Sequence, residues 1–193
     1  MNRIQVKMIC ALTFILYSSQ LLIPFTPAVQ AQEQPPSEQS PYQERRALFE
    51  AMSHISGIPW YQLAAIDQYE RSLNTALKKQ RPQREGLIAI YIPAEQWAGP
   101  TNPNLEDQHP ATIAFFGGIG LDGDGDGRAD RENDVDLLYT LARHVLKYGT
   151  EEDDFRTAIW EFYQNDRSVT RISQFSKIYK HFNRIDLDEY AFP

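Results

Sequence analysis

Apolar residues recur along most of this chain at helical spacing. Leu48, Met52 and Ile55 fall three and four residues apart and stop at Gly57, which predicts a first helix from about Tyr42. A second starts at Pro59, a residue suited to the first helical turn, and carries Trp60, Leu63, Ala64 and Ile66 toward about Leu77. Three more stripes follow: Leu137, Leu138, Leu141, Ala142 and Val145 ahead of Gly149; Phe155, Ala158, Ile159, Phe162 and Tyr163; and Val169, Ile172, Phe175, Ile178 and Tyr179. The basic stretch 78–84 reads as a solvated connection. Residues 86–93 are apolar and β-branched, which suits a strand or a buried extended segment, and 94–97 suit a short helical turn. Residues 99–110 form a loop with three prolines, and the apolar run 111–120 ends in glycines. The expected fold is mainly α: a helical globular domain with an EF-hand-like calcium loop and a short extended segment.

The pattern changes at the N-terminus. Arg3 and Lys7 precede an apolar segment over 8–27, and Val29-Gln30-Ala31 offers small residues where a signal peptidase reads. Residues 1–31 are expected to be a secretory signal peptide. Tyr17-Ser18-Ser19-Gln20, Pro24 and Pro27 interrupt the run and suit a full membrane span poorly, so no stable span is expected after cleavage. The single cysteine, Cys10, lies in the segment to be removed, so the exported protein uses no disulfides. Residues 32–41 are polar and proline-rich and read as a flexible linker. Residues 42–193 are the size of one domain. The mature chain carries 17 Lys+Arg against 26 Asp+Glu, a formal charge of −9, which argues against nucleic acid as a partner.

Much of that charge is concentrated in Asp122-Gly-Asp-Gly-Asp-Gly-Arg-Ala-Asp130. Carboxylates stand at loop positions 1, 3, 5 and 9, with glycine at position 6, a spacing that aims oxygens at one hard cation. Asp122, Asp124, Asp126 and the backbone carbonyl of Arg128 are the expected ligands of a structural Ca2+. Position 12 is Asn133 rather than a bidentate Glu, which argues against a sensor role. Asp134 or Asp136 is left to close the shell, and Asp136 also suits an N-cap for the following helix.

Three separated motifs then carry a resemblance. Gly57-Ile-Pro-Trp-Tyr-Gln-Leu-Ala-Ala-Ile-Asp-Gln-Tyr-Glu70, Ile90-Tyr-Ile-Pro93 with Trp97, and the acidic loop followed by Ala158-Ile-Trp-Glu-Phe-Tyr163 stand in the order used by soluble lytic transglycosylases and goose-type lysozymes. Over most of residues 55–182 the chain resembles that lysozyme-like superfamily. Trp97-Ala-Gly-Pro100 and Phe115-Phe-Gly-Gly-Ile-Gly-Leu-Asp122 look closer still to the module that precedes lysostaphin-type zinc endopeptidase domains in spore-forming Gram-positive bacteria. The four histidines, His54, His109, His144 and His181, show no zinc-ligand pairing and read as surface residues.

The resemblance implies a secreted cell-wall protein whose partners are peptidoglycan glycan strands and a cell-wall peptidase. It implies that Glu70 is the catalytic acid/base for cleavage between N-acetylmuramic acid and N-acetylglucosamine, that Tyr91, Trp97 and Tyr163 bind the sugar, and that Asp136 is the late calcium ligand. Arg71 and Ile90 depart from the family's pattern, and they favour the other reading: a silent lysozyme-like module that binds peptidoglycan or positions an endopeptidase. Without the resemblance, Asp67, Glu70 and Arg71 read as a solvated helix face.

Overall fold

The computed structural model describes residues 40–77 and 84–186. The expected signal peptide lies outside them, as do all but the last two residues of the expected linker. Among the described residues there are seven helices and no strand: α1 (Pro41–Ser56), α2 (Trp60–Ala76), α3 (Ala94–Ala98), α4 (Pro110–Phe115), α5 (Asp134–Leu146), α6 (Glu152–Tyr163) and α7 (Asp166–Phe182). None of them is long and apolar enough to cross a membrane.

Local chemistry sets the boundaries. Ser40 and Pro41, expected in the linker, already start α1: the Ser40 N–H donates to Gln43 Oε1 at 3.3 Å. Gly57 ends α1 with φ 76°, and its N–H reaches Ser53 O at 2.8 Å. The N-cap of α5 is Asn133, not Asp136, and its Oδ1 accepts from the Val135 N–H at 2.8 Å. Asp136 sits inside the first turn, with its carboxylate turned back to the preceding loop. Asn165 caps α7 in the same way through the Arg167 N–H at 2.8 Å.

The longest contact surface is between α2 and α7, with α1 packed on α2 and α5, and α6 joining α5 to α7. One hydrophobic cluster fills the space between them, from Phe49 and Met52 through Leu63 and Ile66 to Leu141, Phe155 and Ile172. The first stripe runs out early. Arg45, Phe49 and Met52 are the buried positions of α1, whereas Ile55, expected inside, is 65% exposed beside the turn at Gly57. In α7, Val169, Ile172 and Tyr179 are buried and Phe175 and Ile178 only partly so.

Residues 87–93 pair with no strand among the described residues. Ile88, Ile90 and Ile92 are nonetheless buried at alternate positions, so the segment keeps an extended chain's two-residue alternation without a ladder. Its polar backbone is satisfied by side chains instead: Asp134 accepts from the Leu87 and Ile88 N–H groups at 2.8 and 3.3 Å, Asp67 from Ala89 at 2.5 Å, and Arg84 Nη1 donates to Ile88 O at 2.6 Å.

Candidate functional site

Helix α2 buries almost a full turn all round. Residues 62–67, Tyr69 and Glu70 are all inaccessible, because α1, α7 and the segment 87–92 pack on different sides of it. Two carboxylates go inside with them. Neither belongs to a solvated helix face: Asp67 is 2% exposed and Glu70 1%. Burying a carboxylate without partners costs several kcal/mol, so both require them.

Asp67 is held by cations and backbone. Arg71 Nε donates to its Oδ2 at 2.9 Å, Arg45 Nη1 lies 3.7 Å away, and the Ala89 N–H donates to Oδ1. Arg71 also reaches Leu87 O. Burial pushes the Asp67 carboxyl above its usual range, while Arg71, the Ala89 N–H and Arg45 pull it back. The result is a fastener between α2 and the segment that carries Tyr91. It takes up Arg71 as an ion-pair partner of Asp67, one turn from its Asp at i,i+4.

Glu70 is bound by α6. The Tyr163 phenol donates to Glu70 Oε1 at 2.6 Å, a short contact between residues 93 positions apart. Tyr163 is partly exposed and Glu70 is buried. The ring is fixed edge-on by Tyr69, with centroids 5.3 Å apart, and by Phe162 at 5.0 Å. Phe162 in turn meets His144 at 5.2 Å. His144 is not the surface residue its scattered spacing suggested. Its Nε2 lies 3.2 Å from Ala158 O, so that nitrogen carries the proton and donates, and burial pulls the imidazole pKa below its usual value.

Of the residues expected to line a site, Glu70 and Tyr163 are therefore brought into direct contact. Tyr91 is partly buried on the extended segment. Trp97 is 1% exposed and offers no face to a ligand. Its Nε1–H donates to Ala129 O at 3.1 Å, and Gly120 lies so close that a Cβ there would stand 2.5 Å from the indole ring. The glycine-rich run after α4 is shaped to admit this ring: the Ile119 and Gly120 N–H groups donate to Gln96 O and Trp97 O at 3.1 and 3.0 Å.

The acidic loop leads from this Trp97 anchor to α5. Oxygens of Asp122, Asp124 and Asp136 come within 4.8 Å of one another, which fits the donor set of a hard divalent cation. The Asp126 carboxylate is not part of that group. Asp126 instead accepts from the Arg128 N–H at 2.8 Å, and the loop reverses at Gly127 with φ 90°. Asp136 is the anchor of the cluster, 1% exposed, and its two oxygens accept from the Gly123 and Asp130 N–H groups at 2.7 Å each. Burial raises its carboxyl pKa, the two N–H groups lower it and the Asp124 charge adds to the rise. Asn133 Nδ2 donates to Asp124 Oδ2 at 2.8 Å, so position 12 closes the loop by a hydrogen bond.

Sequence reasoning missed Arg45 and His144. Nothing in the spacing of either distinguishes a buried partner from an ordinary helix-surface residue. Asp67 was legible only as a charge one turn from Glu70.

Comparison with known proteins changes the functional reading. No protein-family model matches the chain, and no solved structure does. A curated protein of Bacillus subtilis (strain 168) named L-Ala–D-Glu endopeptidase is 47% identical over 150 residues, which is 78% of this chain and 46% of that protein. The chain thus spans about half the length of the curated relative it matches. That relative is named for a peptide bond. Kinship with lytic transglycosylases and goose-type lysozymes, inferred from the order of three motifs, is overturned by an identity this high over most of the chain to a peptide-cleaving protein. With it fall glycan cleavage by Glu70 and the silent lysozyme-like module.

Proposed function

We propose that the protein acts outside the cell on the stem peptide of cell-wall peptidoglycan, hydrolysing the L-Ala–D-Glu bond. The observation that carries this is the 47% identity over 150 residues to the L-Ala–D-Glu endopeptidase. The export signal expected over residues 1–31 agrees with a substrate outside the membrane.

Hydrolysis joins the water oxygen to the alanine carbonyl carbon and breaks the C–N bond, leaving a carboxylate on L-Ala and an amine on D-Glu. A group must take a proton from water and return one to the departing nitrogen. We assign that role to Glu70, with the partly exposed Tyr163 orienting its carboxylate through the phenol hydrogen bond. Tyr91, on the segment fastened by Asp67, is the third residue assigned to the peptide. Asp122, Asp124 and Asp136 would hold a structural Ca2+, which supplies positive charge to a buried carboxylate and ties the Trp97 anchor to α5.

The test is to incubate the mature protein with purified peptidoglycan, label newly exposed amino groups and identify the fragments by mass spectrometry. Peptides that begin with D-Glu support the proposal. Intact stem peptides overturn it.

A further inference from the structure

Charge is unevenly distributed in this acidic protein. From Asp166 to Asp186 the chain carries five Lys+Arg and two acids, a local charge of +3 within a protein of formal charge −7, with Arg184 paired to Asp186 at 2.5 Å. Helix α7 turns its apolar side, Val169, Ile172 and Tyr179, into the core. Arg167, Thr170, Arg171, Gln174, Lys177 and His181 are exposed, at the three- and four-residue steps that put them on one face. Arg167 and Arg171 have no carboxylate within ion-pair distance among the described residues. Arg156 crosses from α6 to Ser173 Oγ at 3.4 Å and widens the cationic strip, whereas Lys177 is shared with Glu152 at 3.2 Å, an exposed pair that a stronger anion can displace.

We propose that the outer face of α7 binds a phosphodiester polymer of the cell wall, of the poly(glycerol phosphate) kind, and so holds the protein on its substrate surface. Arg167 and Arg171, one helical turn apart, stand about 6 Å apart along the axis, and the strip continues for about 15 Å to Lys177. A flexible chain with a charge on every repeat follows such a row, and guanidinium groups pair with phosphate oxygens in bidentate fashion. An anionic membrane is the poorer partner: a helix that lies in a bilayer needs its apolar side free, and that side of α7 is inside the core. The choice of a wall polymer rests on the extracellular wall setting proposed above, but its binding needs no peptide cleavage.

The experiment measures binding of the full mature chain to purified poly(glycerol phosphate), to walls with and without their phosphodiester polymer, and to phosphatidylglycerol vesicles. Affinity should fall steeply between about 50 and about 200 mM salt, and R167Q/R171Q should bind roughly tenfold more weakly with a shallower salt dependence. Both substitutions are exposed, so the melting temperature should not move, which separates lost contacts from lost fold. Equal binding to stripped walls, an unaffected double variant, or capture by vesicles and not by the polymer would each overturn the proposal. Polymer binding in a protein that leaves stem peptides intact would sink the peptidase reading alone.

Discussion

The buried cluster around Glu70 and the loop around Asp122 both collect acidic side chains, yet the chain handles them in opposite ways. At the loop, neighbours in sequence do the work. Asp122 accepts from the Gly125 and Gly127 N–H groups at 2.7 and 2.8 Å, and Asp124 from Asp126 at 3.1 Å, so backbone within a few residues fixes each carboxylate. At the buried cluster the partners come from afar: Tyr163 is 93 residues from Glu70, and Ala89 is 22 from Asp67. A local arrangement tolerates exposure. A long-range one exists only when α2, α6 and the segment 87–92 are already packed, which makes the buried cluster a product of the whole fold.

The largest expected effect tests the buried-cluster side of that contrast. Glu70→Gln keeps the shape and still accepts from Tyr163, but it cannot take and return a proton, so stem-peptide cleavage should drop at least ~10²-fold with the fold intact. Steady-state rates with circular dichroism on the same sample check both parts. A variant that cleaves normally would make the Glu70–Tyr163 contact a packing feature.

Next in size is the strut between the two regions. Gly120→Ala would drive a methyl group into the Trp97 ring and should lower stability by about 1–3 kcal/mol in denaturant titrations. No change in the midpoint would mean that Trp97 has room to move.

The loop is probed by metal. Calcium at 100 times its dissociation constant should stabilise the folded protein by about 2.7 kcal/mol, seen as a melting temperature that falls in chelator and recovers on readdition. Asp124→Ala should erase the difference while Asp126→Ala should not, because only Asp124 lies in the cluster of gathered oxygens. A melting temperature indifferent to chelator would remove calcium from the picture.

The smallest effect is electrostatic. His144 has a pKa lowered by burial, so as pH falls through the unfolded value of 6.5 the unfolded chain takes up a proton that the folded protein refuses. Stability contributed by His144 is therefore present above that value and declines below it. The melting temperature should drop between about pH 7.5 and about pH 5.5, and His144→Gln should reduce the drop.

Helices were legible in the sequence because each apolar stripe repeats within a few residues, and α2, α5, α6 and α7 fall where those stripes are. The gathering of acids in the loop was legible for the same reason, as D-x-D-x-D-G is a local spacing; the approach of Asp136, rather than Asp134, to Asp122 and Asp124 depends on how α5 docks. Burial of acids was not legible. Asp67, Glu70 and Arg71 make a pattern that fits a wet helix face equally well, and only contacts with Arg45, Ala89 and Tyr163 decide against it. Trp97 is the converse case: the resemblance implied a sugar-binding face, but the indole is buried in the core, with Gly120 leaving room for the ring.

Function rests on one bond. The most direct measurement is hydrolysis by the mature protein of two synthetic stem peptides that differ only in the second residue, L-Ala–D-Glu and L-Ala–L-Glu, followed by mass spectrometry. Cleavage of the D-Glu peptide, with the L-Glu peptide spared, is the predicted result. Failure to cut either peptide, or release of sugar fragments from intact peptidoglycan instead, would contradict it.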